Sequence, residues 1–345
     1  MIVFRADGNS AVGAGHVMRL LSIADAARQA GENCIFVTAS GDMEQVITAR
    51  GYESHVLGTD YSDMESEDMQ AVLEVYKPAV LFVDSYFVTE KYLDGLLEYC
   101  RIHDIRLVYM DDVLAFPYPC DILVNYNIYG REEDYLSLYT GRKVPRLLQG
   151  SAYAPLRGEF LDRSPRKVRK QADTVLVSTG GADFEHLAVE LIKKAGQYPY
   201  TFQFVIGALN PDKEKIRELA DASDNIVLYE QVPSLAPIME TCDVAISAAG
   251  STLYELCATQ TPTITYVLAD NQLPGAQAFA AKGVMLNCGD VRVLGREALA
   301  GKLLDSAASL LEDYDNRVLI SERMKEVVDG KGAGRILKEV LQEKA

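Results

Sequence analysis

Residues 13–19 read GAGHVMR, and how this stretch is read decides the fold. An apolar opening, MIVF at residues 1–4, comes before it. An amphipathic pattern comes after it, with Val17, Leu20, Leu21, Ala24 and Ala27 on one face and Gly31 as the stop. The spacing predicts a strand, a glycine turn and a helix from about His16 to Ala30. Gly13 and Gly15 allow the backbone close to a ligand, and the helix behind them offers N–H groups to an anion. His16, one of four histidines in the chain, is there a candidate base, ligand contact or cap.

The same strand–helix unit repeats outward from that turn. NCIFVTAS, AVLFVDSY, RLVYMDDV and DILVNYN read as strands, with helices around 68–77 and 90–103 between them. These are near-continuous apolar runs, as in a parallel sheet covered on both faces. The rhythm breaks at GSAYAPLRGEFLDRSPRKVRKQAD, residues 150–173, which holds two prolines and a basic cluster. It resumes from Thr174 with TVLVSTGGAD, TFQFVIG, NIVLYEQV, DVAISAAGS, PTITYVLADNQ and GVMLNCG, and two helical stretches close the chain. The expected organisation is a first domain at 1–160, a solvated linker at 161–172 and a second domain at 173–345, the terminal helices being free to pack back on the first. Both domains are α/β and doubly wound, Rossmann-like, with ligand clefts at the carboxyl ends of their strands that are expected to face each other.

Composition narrows the function. The chain has 345 residues, 48% hydrophobic and 24% charged, and a formal net charge of -16. That charge argues against nucleic acid or an anionic membrane as partner, since both reward basic surfaces. No apolar run approaches the roughly 20 residues of a membrane helix, so no membrane insertion is expected. The first residues lead straight into a strand with no leader pattern, and the six cysteines never form C-x-x-C. Buried free thiols in a reducing cytoplasm are the expectation. No cysteine, histidine or carboxylate spacing fits a metal, so the expected chemistry uses no metal and no other cofactor.

Four constellations carry candidate chemistry. Arg5 and Asp7 lie two apart at the end of the first strand and share a face. At the helix start the partial positive charge disfavours imidazolium, which leaves His16 a neutral base that Asp7 can orient. The plainer reading pairs Arg5 with Asp7 and makes His16 a cap. In ISAAGSTLYELCA, Ala249, Gly250, Ser251 and Thr252 form a helix mouth suited to a diphosphate. Glu255 there is either half of a capping box with Thr252 or a ribose contact. Gly180 and Gly181 in VSTGGAD can nest a phosphate or simply turn the chain. Asp270, Asn271 and Gln272 in LADNQ offer groups to sugar hydroxyls and acetamido groups, or cap a helix. VDSYF brings Asp84 and Tyr86 to a strand end, as a cap and a rim aromatic or as site residues.

Together FRADGNSAVGAGHVMR (4–19), GSAYAPLRGEF (150–160), VSTGGAD (177–183), SAAGSTLYELCA (247–258) and LADNQ (268–272) resemble one family. It is the UDP-2,4-diacetamido-2,4,6-trideoxy-β-L-altropyranose hydrolases of pseudaminic acid biosynthesis, with their relatives in spore-coat polysaccharide synthesis. The resemblance implies the GT-B fold and a metal-independent, cytoplasmic enzyme that hydrolyses a UDP-sugar. It makes His16 the base that activates water and Tyr86 its assistant. Arg5, Gly13, Gly15 and Arg19 are expected on the substrate with the second-domain residues named above, and Gly250–Glu255 resembles the UDP pocket of MurG-type glycosyltransferases. A glycosyltransferase of the same fold, acting in cell-surface or spore-coat polysaccharide synthesis, and a non-catalytic nucleotide-sugar binder stay open as alternatives.

Overall fold

The computed structural model describes all residues except 10, 11, 182, 208, 209, 231, 233 and 343–345. The chain divides into two compact units, Met1–Gly158 with Gly330–Ala345, and Glu159–Asp329. In the first, β1 (Ile2–Ala6), α1 (Gly15–Gln29), β2 (Cys34–Thr38), α2 (Glu44–Ala49), β3 (Glu53–Val56) and α3 (Ser66–Tyr76) come first. β4 (Val80–Asp84), α4 (Glu90–Ile102), β5 (Arg106–Met110), β6 (Ile122–Asn125), α5 (Tyr135–Leu138) and β7 (Arg146–Gln149) follow. Among the described residues the strands form one seven-stranded sheet in the order β3-β2-β1-β4-β5-β6-β7, all parallel.

Every residue of β1 and β4 is buried. Register sets Phe4 beside Phe36 and Phe82, and the three rings stack with centroids 5.1 and 5.0 Å apart. On the other face Val3, Leu81 and Val83 pack with Met69, Val72 and Leu73 of α3 and Leu93, Leu96 and Leu97 of α4. Each such side chain contributes about 1.5–3 kcal/mol by burial. Both faces are covered, which is why the inner strands read as unbroken apolar runs. The edge strands β3 and β7, ESHV and RLLQ, are half exposed and carry no such run. Sequence reading missed them for that reason.

The second unit holds β8 (Thr174–Ser178), α6 (Leu187–Ala195), β9 (Thr201–Ile206), α7 (Lys213–Asp221), β10 (Ile226–Glu230), α8 (Ala236–Thr241) and β11 (Val244–Ala248). Then come α9 (Thr252–Ala258), β12 (Thr263–Val267), α10 (Leu273–Ala281), β13 (Leu286–Asp290), α11 (Val291–Leu294), α12 (Arg296–Glu312) and α13 (Tyr314–Lys325). Its six strands, again parallel, run β10-β9-β8-β11-β12-β13. In both sheets the strand order reverses once, between β1 and β4 and between β8 and β11. Such a switch point opens a crevice at the carboxyl ends of the two strands.

The basic run at 161–172 is not a solvated linker. Arg163 pairs with Glu240 at 3.1 Å, and Arg166 donates to the Met239 carbonyl and Thr261 Oγ1. Arg169 bridges Asp243 and Asp173, and buried Arg317 donates to the Arg169 carbonyl at 2.8 Å. The run is fastened to the second unit by its charges. Where two closing helical stretches were expected there are three long helices. Asp313 ends α12 and caps α13 by accepting from the Asn316 N–H.

The third is α14 (Gly332–Leu341), which packs on α1. Arg335 donates to the Ala152 carbonyl at 2.8 Å, and Arg106 donates to the Val340 and Gln342 carbonyls at the helix end, where a cation is favoured. Gly332 lets this happen, because a Cβ there would lie 2.1 Å from the Ala154 carbonyl oxygen. Gly332→Ala should therefore cost about 1–3 kcal/mol as an overpacked contact. Gly334→Ala, whose Cβ would meet open space, should stabilise by about 0.5–1 kcal/mol. Urea midpoints check the pair, and like shifts in both variants would show that α14 does not press on residue 154.

Candidate active site

At the first switch point β1 leads through Gly13 (φ +75°) into α1. Asn9 shapes the approach: its carbonyl accepts the Gly13 N–H, and its Oδ1 the Val12 N–H. Ser10 and Ala11 of this motif lie outside the described residues. The cap position is Ala14, with no side-chain bond, so His16 is no cap but the second residue of the helix. It is 7% exposed. Its ring stands edge-on to Tyr86, centroids 4.5 Å apart, and its Nδ1 lies 4.0 Å from Asp84 Oδ1.

His16 and Arg19 are three residues apart, which sets them on one helix face. Arg19 closes on both oxygens of Asp84 with a bidentate grip. Its Nη1 also donates to Asp112 Oδ2 at 3.1 Å and Tyr126 Oη at 3.3 Å. Tyr86 donates to the same Asp112 oxygen at 3.1 Å. The result is a closed ring of contacts: His16, Asp84, Arg19, Asp112, Tyr86 and back to His16. Burial holds the His16 pKa below its ordinary 6.5, with Asp84 pulling the other way and Arg19 adding to the depression. The imidazole is neutral at pH 7. At 4.0 Å from Nδ1, Asp84 Oδ1 is beyond hydrogen-bond reach and acts on the ring as a neighbouring charge.

Asp7 is not brought to His16. Its Oδ2 accepts from Arg5 at 2.6 Å and its Oδ1 from the Ala39 N–H at 2.7 Å, both side chains being buried. Here the plainer reading of the strand end describes the geometry, and the carboxylate beside His16 is Asp84. Arg19, expected on the substrate, is instead turned into the protein. Asp112 and Tyr126 went unread, although each stands where a strand ends: Asp112 follows β5 in YMDDV and Tyr126 follows β6 in LVNYN. Their nearness to Arg19 depends on the sheet order, which spacing along the chain does not give.

At the second switch point Gly180 (φ +82°) and Gly181 turn the chain after β8; Ala182 beside them lies outside the described residues. The β9–α7 connection presses on this turn, for a Cβ on Gly207 would lie 2.3 Å from the Gly181 carbonyl oxygen. Buried Asp183 accepts the Leu187 and Ala188 N–H groups at the start of α6, and burial pushes its pKa up to about 6. After β11, Ala249 is buried, Gly250 and Thr252 half-buried and Ser251 exposed. Ser251 is the cap residue of α9 and no side chain caps that helix. The Thr252–Glu255 capping box is thus not formed, and half-buried Glu255 lies one turn into α9. After β12, Asn271 is exposed, Gln272 accepts the Leu268 N–H, and Asp270 pairs with Arg292. All six cysteines are free, five of them buried and Cys34 half-buried. Among the described residues no group of three or more histidines, cysteines or carboxylates is placed to hold a metal, and no helix is long and apolar enough to cross a membrane.

Residues 174–327 match the model of the glycosyltransferase family 28 C-terminal domain. The chain is 26% identical over 292 residues to the UDP-2,4-diacetamido-2,4,6-trideoxy-beta-L-altropyranose hydrolase of Campylobacter jejuni, covering 82% of this chain and 97% of that one. It is 27% identical over 196 residues to the spore coat polysaccharide biosynthesis protein SpsG of Bacillus subtilis, covering 55% of this chain but only 57% of that protein's length. Among solved structures, MurG of Acinetobacter baumannii superposes with a TM-score of 0.68 at 12% identity, over 99% of both chains. At that identity the likeness establishes the fold. The chain has the GT-B fold, its second unit matches the glycosyltransferase family 28 C-terminal domain model, and it is similar in sequence to the altropyranose hydrolase and to the spore-coat protein.

Proposed function

We propose that this protein is a UDP-sugar hydrolase acting on a UDP-linked diacetamido trideoxy hexose. The observation that carries the reading is the setting of His16, a buried, neutral imidazole at a helix start and a strand switch point, backed by Asp84 and walled by Tyr86. In a chain similar to a UDP-sugar hydrolase over 82% of its length, that is the position for a base on water. Water is a poor nucleophile and needs one. Nε2 takes the proton as the oxygen attacks the anomeric carbon, the glycosidic C–O bond breaks, and UDP departs with the electron pair. A single displacement of this kind inverts configuration.

UDP is a good leaving group, so its departure needs charge stabilisation rather than a strong acid. N–H groups around Gly250–Thr252 and the Gly180–Gly181 turn take the diphosphate, Glu255 the ribose, and Asn271 and Gln272 the sugar. No metal is required. The soluble reaction and its cytoplasmic setting belong to this reading. The second reading is transfer to an acceptor hydroxyl, which the family 28 match favours. UDP release with no acceptor present, in excess chelator, decides between them: steady turnover supports hydrolysis, and turnover only after an acceptor or metal is added supports the alternative.

His16→Asn should slow kcat by about 10²–10⁴-fold with UDP affinity intact. A near-wild-type rate would move the base elsewhere, with Asp84 the first candidate. Because the folded pKa of His16 is lowered, the free base is present above it. Activity should be full at pH 7 and fall as pH drops through a midpoint below 6.5, read from the kcat profile. Glu255→Gln should weaken UDP binding if its carboxylate holds the ribose diol, and calorimetry that finds no loss removes Glu255 from the nucleotide.

A further inference from the structure

Departure of UDP puts negative charge on a diphosphate, yet the arginines first assigned to substrate are committed elsewhere. Arg5 is closed on Asp7, and Arg19 on Asp84, Asp112 and Tyr126. In the second unit Arg217 pairs with Glu230, and Arg292 with Asp270 and Asp290. One titratable cluster in that unit has no part in the reading above. His186 stands at the cap position of α6, five residues past Gly181, with its Nδ1 2.5 Å from Asp212 Oδ2. Its side chain is 44% exposed, and its φ of +57° lies in the left-handed region, uncommon outside glycine. Backbone held this way clusters at ligand-binding positions. Beside the turn, Thr179 is 1% exposed and its hydroxyl has no hydrogen-bond partner among the described residues.

We infer that His186, oriented by Asp212, binds the nucleotide diphosphate at the Gly180–Gly181 turn. A phosphate oxygen opposite Nε2 gives the imidazolium an anion at each nitrogen: Nδ1–H donates to Asp212 and Nε2–H to the phosphate, a charge-assisted pair. Gly207 lies against the glycine turn at Gly181, and Asp212, five residues further along the chain, holds His186. The inference rests on the nucleotide reading of the second unit and adds a side-chain partner for the diphosphate to it.

The test compares UDP with uridine, which has the base and ribose but no phosphate, by NMR titration of wild type and His186→Asn. Asparagine tolerates the left-handed backbone but carries no charge. UDP should bind the variant about tenfold more weakly, with uridine unchanged, the loss expected for one charge-assisted bond. Equal UDP affinity, or equal losses for UDP and uridine, overturns the inference and leaves His186 as a clip between loops. Wild type that fails to bind UDP overturns the nucleotide reading, and this inference with it. Should the variant not fold, the imidazole nitrogen resonances of wild-type His186 decide. They move with UDP and not with uridine if it meets the diphosphate; like responses to both, or none, overturn the inference.

Discussion

The guanidinium of Arg19 closed on the buried carboxylate of Asp84 fixes everything else at the first switch point. Two charges taken out of water cost several kcal/mol each, and their pairing offsets this only with near-ideal geometry. The bidentate fork supplies that geometry, and the remaining Arg19 donors go to Asp112 and Tyr126. Helix α1 is thereby anchored to the ends of three other strands, β4, β5 and β6. His16 rides on the same face of that helix, so its distance to Asp84 follows from the arginine's grip. The spacing H-x-x-R therefore carries a positioning device: the arginine's grip sets where the histidine stands.

The second unit's switch point is built from different groups. Its loops after β8 and β11 present small residues, hydroxyls and backbone N–H groups, while Arg217 and Arg292 sit on carboxylates and Arg317 and Arg323 on backbone carbonyls.

Much of this was legible from the chain because parallel strands buried on both faces leave a plain mark. IVFRA, VLFVD, TVLVS and VAISA each read as strands and each lies inside a sheet. The glycine turns announced the switch points. What stayed hidden depended on neighbours far away in sequence. Whether Asp7 or Asp84 stands by His16 is set by the pairing of β1 with β4 and by the Ala39 N–H and Arg5, which claim Asp7 first. The capping box at Thr252 failed because the cap fell one residue earlier, at Ser251, a shift below the resolution of a spacing rule. RSPRKVRK looked solvated because its partners Glu240, Asp243 and Thr261 lie some 70 to 95 positions further on.

The return of α14 to the first unit has a consequence for the order in which the molecule can be made. Synthesis delivers β1 and α1 long before Gly332–Leu341, with all of Glu159–Asp329 between them. The second unit is continuous in the chain and has everything it needs as it emerges. The first unit has its whole sheet early, yet the side of α1 that α14 covers stays bare until the end. During that interval the apolar surface destined for Ala333, Ile336, Leu337 and Val340 faces solvent or a chaperone. A ribosome that stalls within the second unit would release a first unit complete in its strands and open over α1, the helix that carries His16.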